Sequence, residues 1–161
     1  MNKVFFVLLM LCCSSCATTY YVVRHAEKEA QGPNSTSDVA LSAAGQERAE
    51  ALKLSLQNKK IKHLFSTNTI RTTSTAKPLS DAIGVPFQLY TPADTNFVTR
   101  IKALGKGNVL IVGHSNTVDN LVNSFIKKTV LKDLADTEYN NLFIIKKKGK
   151  NFYFQKETYG K

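Results

Sequence analysis

Two histidines, each placed directly after a run of β-prone residues, are the side chains best suited to chemistry in this chain. Tyr20-Tyr21-Val22-Val23 leads into Arg24-His25, and Val109-Leu110-Ile111-Val112 leads into Gly113-His114. Each run reads as a buried strand whose end presents an imidazole. Ligands of open α/β sheets bind outside the carboxyl ends of the strands. Two imidazoles are therefore expected to meet over one site. The arginine beside the first makes a phosphoryl group the expected guest, because a planar guanidinium matches phosphate oxygens.

The elements that must position these histidines follow from periodicity and punctuation. Residues 19–24 read as a first strand and 27–40 as a polar loop, with Gly32-Pro33-Asn34 and a Ser/Thr cluster. Ser42 can cap a helix whose apolar stripe runs through Ala49, Leu52 and Leu56. Ile61 to Phe65 is a second strand. Residues 69–83 read as a second helix, with Pro78 as a kink or new start and Gly84 as its C-cap. Val85 to Leu89 is a third strand, marked as an edge by Pro86. A short helix over 96–104 precedes the fourth strand, 108–112, and a helix over 117–126 follows it. Leu142 to Ile145 and Phe152 to Phe154 read as a hairpin. Alternating strands and helices predict a three-layer α/β/α sandwich with a mainly parallel sheet and a C-terminal antiparallel hairpin.

Four segments in this order resemble the histidine phosphatase superfamily, also called the phosphoglycerate-mutase-like fold. They are Val23-Arg24-His25-Ala26-Glu27, Leu41 to Ala49, Phe65 to Ala76 with Arg71 at its centre, and Val112-Gly113-His114-Ser115. The resemblance implies a metal-independent phosphatase that works through a phosphohistidine, with no cofactor and no metal site. Its size resembles the small phosphohistidine-phosphatase branch. The chain lacks long insertions that would cap the pocket, so a small phosphomonoester or a phosphorylated side chain is the expected substrate. A non-catalytic phosphate- or anion-binding lipoprotein on the same fold is the alternative.

The roles have a physical basis. Phosphoryl transfer needs an in-line nucleophile and a positive cradle for three equatorial oxygens. His25 can attack through one ring nitrogen if the other donates its proton to a fixed acceptor, for which a backbone carbonyl is expected. Arg24 and Arg71 supply guanidinium forks. His114 can donate to the phosphoryl oxygens, and would add charge as an imidazolium. The leaving oxygen also needs a proton. The resemblance places an acid between the Arg71 segment and the second histidine motif, where Asp94 stands in Thr91-Pro92-Ala93-Asp94. Asp94 can equally be a turn or N-cap aspartate, Glu27 is its rival, and a good leaving group would need neither. Ser115 and Asn116 can line the pocket, while His63 is expected at the surface.

The start of the chain reads as an export signal. Lys3 is followed by the apolar run Val4 to Leu11, too short to span a bilayer as a helix, and then by Ser14-Ser15-Cys16. The pattern resembles a bacterial lipoprotein signal: residues 1–15 as signal peptide, 16–18 as the lipidated N-terminus, 19–161 as one domain. Cys16 is the candidate lipidation site and Cys13 a second. No cysteine follows Cys16, so no disulfide framework or thiol nucleophile is expected beyond it. The implied location is the bacterial cell envelope, with the membrane as partner through the lipid anchor. The 22 Lys and Arg against 12 Asp and Glu make either a solvated face or a field for anionic lipids or phosphorylated substrates. No recognition motif accompanies the lysines, so nucleic acid is not an expected partner. A monomer is expected.

Overall fold

The computed structural model describes residues 17–32 and 38–160. The expectations for the signal peptide, for Cys13 and Cys16, and for the loop residues 33–37 lie outside these residues. Ten elements alternate along the chain: β1 (Thr18–Arg24), α1 (Ala43–Leu56), β2 (Ile61–Ser66), α2 (Ile70–Ile83), β3 (Phe87–Leu89), α3 (Phe97–Lys102), β4 (Asn108–Gly113), α4 (Ser115–Ile126), β5 (Asn141–Lys148) and β6 (Asn151–Thr158). The strands form one sheet in the order β3-β2-β4-β1-β5-β6. The first four run parallel, and β5 and β6 add to β1 antiparallel.

Strand periodicity builds two cores from one sheet. Side chains alternate between faces along a strand. Tyr20, Val22, Val109, Ile111, Phe143 and Ile145 therefore pack on one side with Phe97 and Ile101 of α3 and Val118, Val122 and Phe125 of α4. Tyr21, Val23, Leu110, Val112, Leu142 and Ile144 pack on the other with Leu52 and Leu56 of α1 and Ala76 and Leu79 of α2. The result is the expected three-layer sandwich. Both cores are drawn from residues between Tyr20 and Tyr159.

Local signals set the helix ends. The Ser42 hydroxyl accepts from the Gly45 backbone N–H at 3.2 Å and starts α1. Gly84, at φ 65°, ends α2 in the left-handed conformation that a Cβ disfavours. α2 runs through Pro78 without interruption. Three boundaries differ from the sequence reading. β3 starts only at Phe87, leaving Pro86 outside a short edge strand. The hairpin strands extend to eight residues each, because every position from Asn141 to Lys148 finds a partner on β6. α4 starts at Ser115 rather than Thr117, since the Thr117 hydroxyl accepts from the His114 N–H at 3.0 Å and makes His114 the N-cap.

Candidate active site

β1 and β4 are hydrogen-bonded neighbours, with Arg24 opposite Gly113. The two histidines that follow them therefore emerge side by side at the carboxyl end of the sheet. Their rings stand 5.4 Å apart between centroids, at 65°. His25 is 4% exposed. Its backbone N–H bonds to the Gly113 carbonyl at 2.8 Å, and its Nδ1 lies 2.8 Å from the Ala26 carbonyl. A carbonyl only accepts, so Nδ1 carries the proton and Nε2 keeps the lone pair. Ala26 is fixed in turn: its N–H donates to the Thr75 hydroxyl at 2.9 Å, and that hydroxyl donates to the Arg71 carbonyl at 2.7 Å. One side chain of α2 thus ties the tautomer of His25 to the helix that carries Arg71.

His114 is oriented by similar logic. Its Nε2 lies 2.9 Å from the Thr67 hydroxyl, and its Nδ1 lies 3.4 Å from an Arg71 Nη. A guanidinium has only donors, so Nδ1 is the acceptor and Nε2–H donates to Thr67. Thr67 passes a hydrogen bond to Thr72 at 3.0 Å, and the Thr72 hydroxyl lies 2.8 Å from the Thr67 carbonyl. Arg71 also reaches Asp38 at 3.4 Å, and Asp38 accepts from the Ile70 N–H at the start of α2. Thr67 was not among the sequence candidates. Its place directly after β2, whose last residue pairs with Val112 of β4, is the signal that could have found it.

Arg24 departs from a free phosphate fork. Strand alternation sends its side chain to the α4 side, where the segment before β5 captures it. One Nη donates to the carbonyls of Ala135 at 2.8 Å and Asp136 at 3.3 Å, while the other reaches the Tyr139 hydroxyl at 3.4 Å. The guanidinium lies 4.1 Å over the Tyr139 ring. Its Nε–H is buried with no partner among the described residues. A buried, unmet donor is costly, and an anion's oxygen would satisfy it. Arg24 therefore offers one donor and a fixed charge rather than a bidentate clamp.

The two carboxyls considered as the acid are both engaged elsewhere. Asp94 sits in the turn before α3, accepts from the Asn96 N–H at 2.9 Å and pairs with Arg100. The Arg100 bond, helped by backbone donors, holds its pKa below the usual carboxylate value. That disfavours the protonated form an acid must have, so Asp94 takes the turn-capping reading. Glu27 faces Arg48, whose Nε lies 2.8 Å from both its oxygens. Burial alone would raise the Glu27 pKa, but the Arg48 hydrogen bonds and charge outweigh it and lower it. We expect Asp94→Asn to leave the ratio of alkyl to aryl phosphate hydrolysis unchanged. A selective loss on alkyl phosphates, whose alkoxide needs the proton, would restore Asp94 as the acid.

Both imidazoles are held neutral. Burial first, then the charges of Arg24 and Arg71, push His25 down to about 3 against the opposing bond to Ala26. Burial and Arg71 push His114 down to about 4. At pH 7 the site thus presents two neutral imidazoles, not the imidazolium considered for His114. Between about 6.5 and these values the unfolded chain binds more protons than the native one, so stability rises with pH across that window. Acidification from pH 7 to 5 should cost roughly 2 kcal/mol through His25 alone. Urea midpoints at the two pH values, with ring NMR titrations, test this; midpoints near 6.5 would contradict it.

Comparison with known proteins bears on this arrangement. Residues 20–91 match the family description Histidine phosphatase superfamily (branch 1). No curated protein sequence matches the chain. Among solved structures, the protein histidine phosphatase SixA complexed with tungstate superimposes with a TM-score of 0.71 at 17% identity, over 88% of this chain and 97% of that one. The chain shares the fold of this solved histidine phosphatase. SixA from Agrobacterium tumefaciens, described as a phosphohistidine phosphatase, gives 0.67 at 17% identity over 88% and 98% of the two chains. A protein of Escherichia coli K-12 described as an alpha-ribazole-5'-P phosphatase gives 0.69 at 15% over 88% and 96%. At these identities the histidine phosphatase likeness is one of fold.

Proposed function

We propose that this chain is a metal-independent phosphatase acting through a phosphohistidine at His25. The observation that carries the reading is the His25 Nδ1–H bond to the Ala26 carbonyl at 2.8 Å, which leaves Nε2 as a neutral lone pair facing His114. Nε2 attacks phosphorus and forms a P–N bond as the P–O or P–N bond to the leaving group breaks. The leaving atom takes its proton from solvent water, which recovers one when the attacking water of the second step is deprotonated. Water then attacks the phosphohistidine, returning the electron pair to Nε2 and releasing inorganic phosphate. Arg71 and the unmet Arg24 Nε–H stabilise the transferring oxygens, and His114 positions Arg71 through its Nδ1. With Asp94 and Glu27 both ionised and paired, substrates that leave without strong acid help are favoured: phosphoamidates and aryl or other activated phosphomonoesters.

The test is release of phosphate from an aryl phosphate with chelator present, together with rapid acid-free capture of labelled phosphate on His25. Phosphate binding without turnover or capture would instead support the anion-binding reading.

We also propose that Cys16 is acylated and anchors the protein in the bacterial envelope, on the strength of the apolar run and Ser14-Ser15-Cys16. No helix of the described residues is long and apolar enough to cross a membrane. The full chain should stay with membranes through a wash at about 1 M salt, which screens charge to roughly 3 Å, and Cys16→Ser should be released. Retained acylation in that variant would move the site to Cys13.

A further inference from the structure

The lysines that appear as scattered pairs in the sequence are gathered by the fold at one end of the molecule. The amino ends of the parallel strands, the far ends of α3 and α4 and the tip of the β5–β6 hairpin meet there. Asn108 opens β4 at the centre. Its side chain accepts from the Thr19 N–H at 2.8 Å and donates to the Lys59 carbonyl at 2.6 Å, and its own N–H donates to the Lys60 carbonyl at 3.2 Å. On the other side of β1, Lys147 stands opposite Thr18 and Lys146 opposite Thr19. Lys102, at the end of α3, lies near enough to Lys127 and Lys147 that, after burial, their charges lower its pKa. Its ammonium reaches the carbonyls of Ser124 and Phe125 at 3.1 and 3.2 Å. Lys150 at the hairpin tip and Lys127 flank a depression of about 380 Å³ that also includes Phe152 and Tyr153.

Acidic residues are placed otherwise. Glu27, Asp94, Asp136 and Glu138 lie on loops at the histidine end, where the carbonyls of Asp136 and Glu138 meet Arg24. Asp81, in the last turn of α2, is paired with Lys77 at 2.9 Å. Lys59, Lys60, Lys102, Lys127, Lys146, Lys147 and Lys150 thus lie at one cationic end of the molecule. Like charges are costly to crowd unless a counter-charge covers them.

We propose that this end face docks on an anionic phospholipid surface, with the histidine site turned away from the bilayer. Charge complementarity argues for the occupant. So does the chain's path: β1 begins at Thr18 in the middle of the lysines. Exposed Tyr153, beside the depression, suits the headgroup level, where amphipathic aromatic rings gather. β1 spans seven residues, so the catalytic mouth stands about 20 Å above the surface. Such an orientation gives the site to soluble substrates rather than to lipid headgroups.

The chain from Thr18 onward contains every residue of both cores, and it separates this face from any acyl anchor. It should sediment with vesicles containing phosphatidylglycerol and cardiolipin, and remain free of phosphatidylcholine vesicles. Binding should fall steeply with salt. Each lysine near an anionic surface contributes about fivefold in partition, so Lys127→Ala, Lys147→Ala and Lys150→Ala together should weaken it roughly 100-fold. Lys28→Ala with Lys156→Ala, toward the histidine end, should not. Turnover of a soluble aryl phosphate by the triple variant should match the parent, which also checks its folding. Equal binding to both vesicle types, or insensitivity to the triple variant, would overturn the proposal. Removal from the vesicles by a duplex oligonucleotide at matching concentration would reassign the face to nucleic acid. Salt-resistant anchoring of the full chain is a separate outcome and does not bear on this result.

Discussion

His25→Ala should reduce phosphate release from an aryl phosphate by on the order of 10⁴-fold or more. The size of the effect follows from the absence of a substitute. His114 has Nδ1 against Arg71 and Nε2 against Thr67, so neither nitrogen is presented as a free nucleophile. His63, the remaining histidine, lies on β2 before its carboxyl end, and no cysteine follows Cys16. The variant should fold, because the lost side chain makes one hydrogen bond, to a neighbouring carbonyl. It should still bind inorganic phosphate through Arg71 and the Arg24 Nε–H, which a titration monitored at the His114 ring beside Arg71 can follow. Retention of more than a few per cent of activity would rule out a phosphohistidine at this position.

Arg71→Ala should lower kcat/KM by roughly 2–4 kcal/mol, the cost of removing a charge-assisted donor from a water-poor site. That is about 30- to 1000-fold. Arg71→Lys should recover only part of it, since an ammonium does not reproduce the planar fork. A second readout separates this role from a merely structural one. Arg71 is the first charge, after burial, that depresses His114. Its removal should raise the His114 midpoint above about 4 while leaving His25 dominated by burial. An unchanged kcat/KM would remove Arg71 from the site, and an unchanged His114 titration would contradict the 3.4 Å contact between them.

Much of the architecture is local and was therefore legible in the sequence. Val22-Val23 and Leu110 to Val112 are apolar on both faces of a strand, which only a sheet covered on both sides can bury. The polar residues at their ends then had to lie at the sheet's carboxyl edge. Ser42 and Gly84 mark helix ends by contacts within a few residues, so α1 and α2 were readable to within one or two positions. The hairpin was too short in the sequence reading because its outer residues, Lys146 to Lys148 and Gln155 to Thr158, are polar. Their strand conformation comes from backbone pairing across β5 and β6, which composition does not register. The segment between α4 and β5 carried no periodic signal. Its carbonyls nonetheless hold Arg24 from more than a hundred residues away.

The sequence by itself determined the two histidines, the arginines beside them and the layers that carry them, because each rests on residue type and short-range periodicity. Tertiary structure alone decided what those groups are. The Ala26 carbonyl and Thr67 set the imidazole tautomers, burial keeps both rings neutral, and Arg100 and Arg48 withdraw Asp94 and Glu27 from acid chemistry. Protonation state depends on desolvation and on charges brought together from distant segments, and spacing along a chain encodes neither. The same reason explains the lysines. As pairs in a sequence they are indistinguishable from an ordinary solvated surface. Only the common direction of β1, β2 and β4, and the hairpin that turns back beside them, brings them to one end of the molecule.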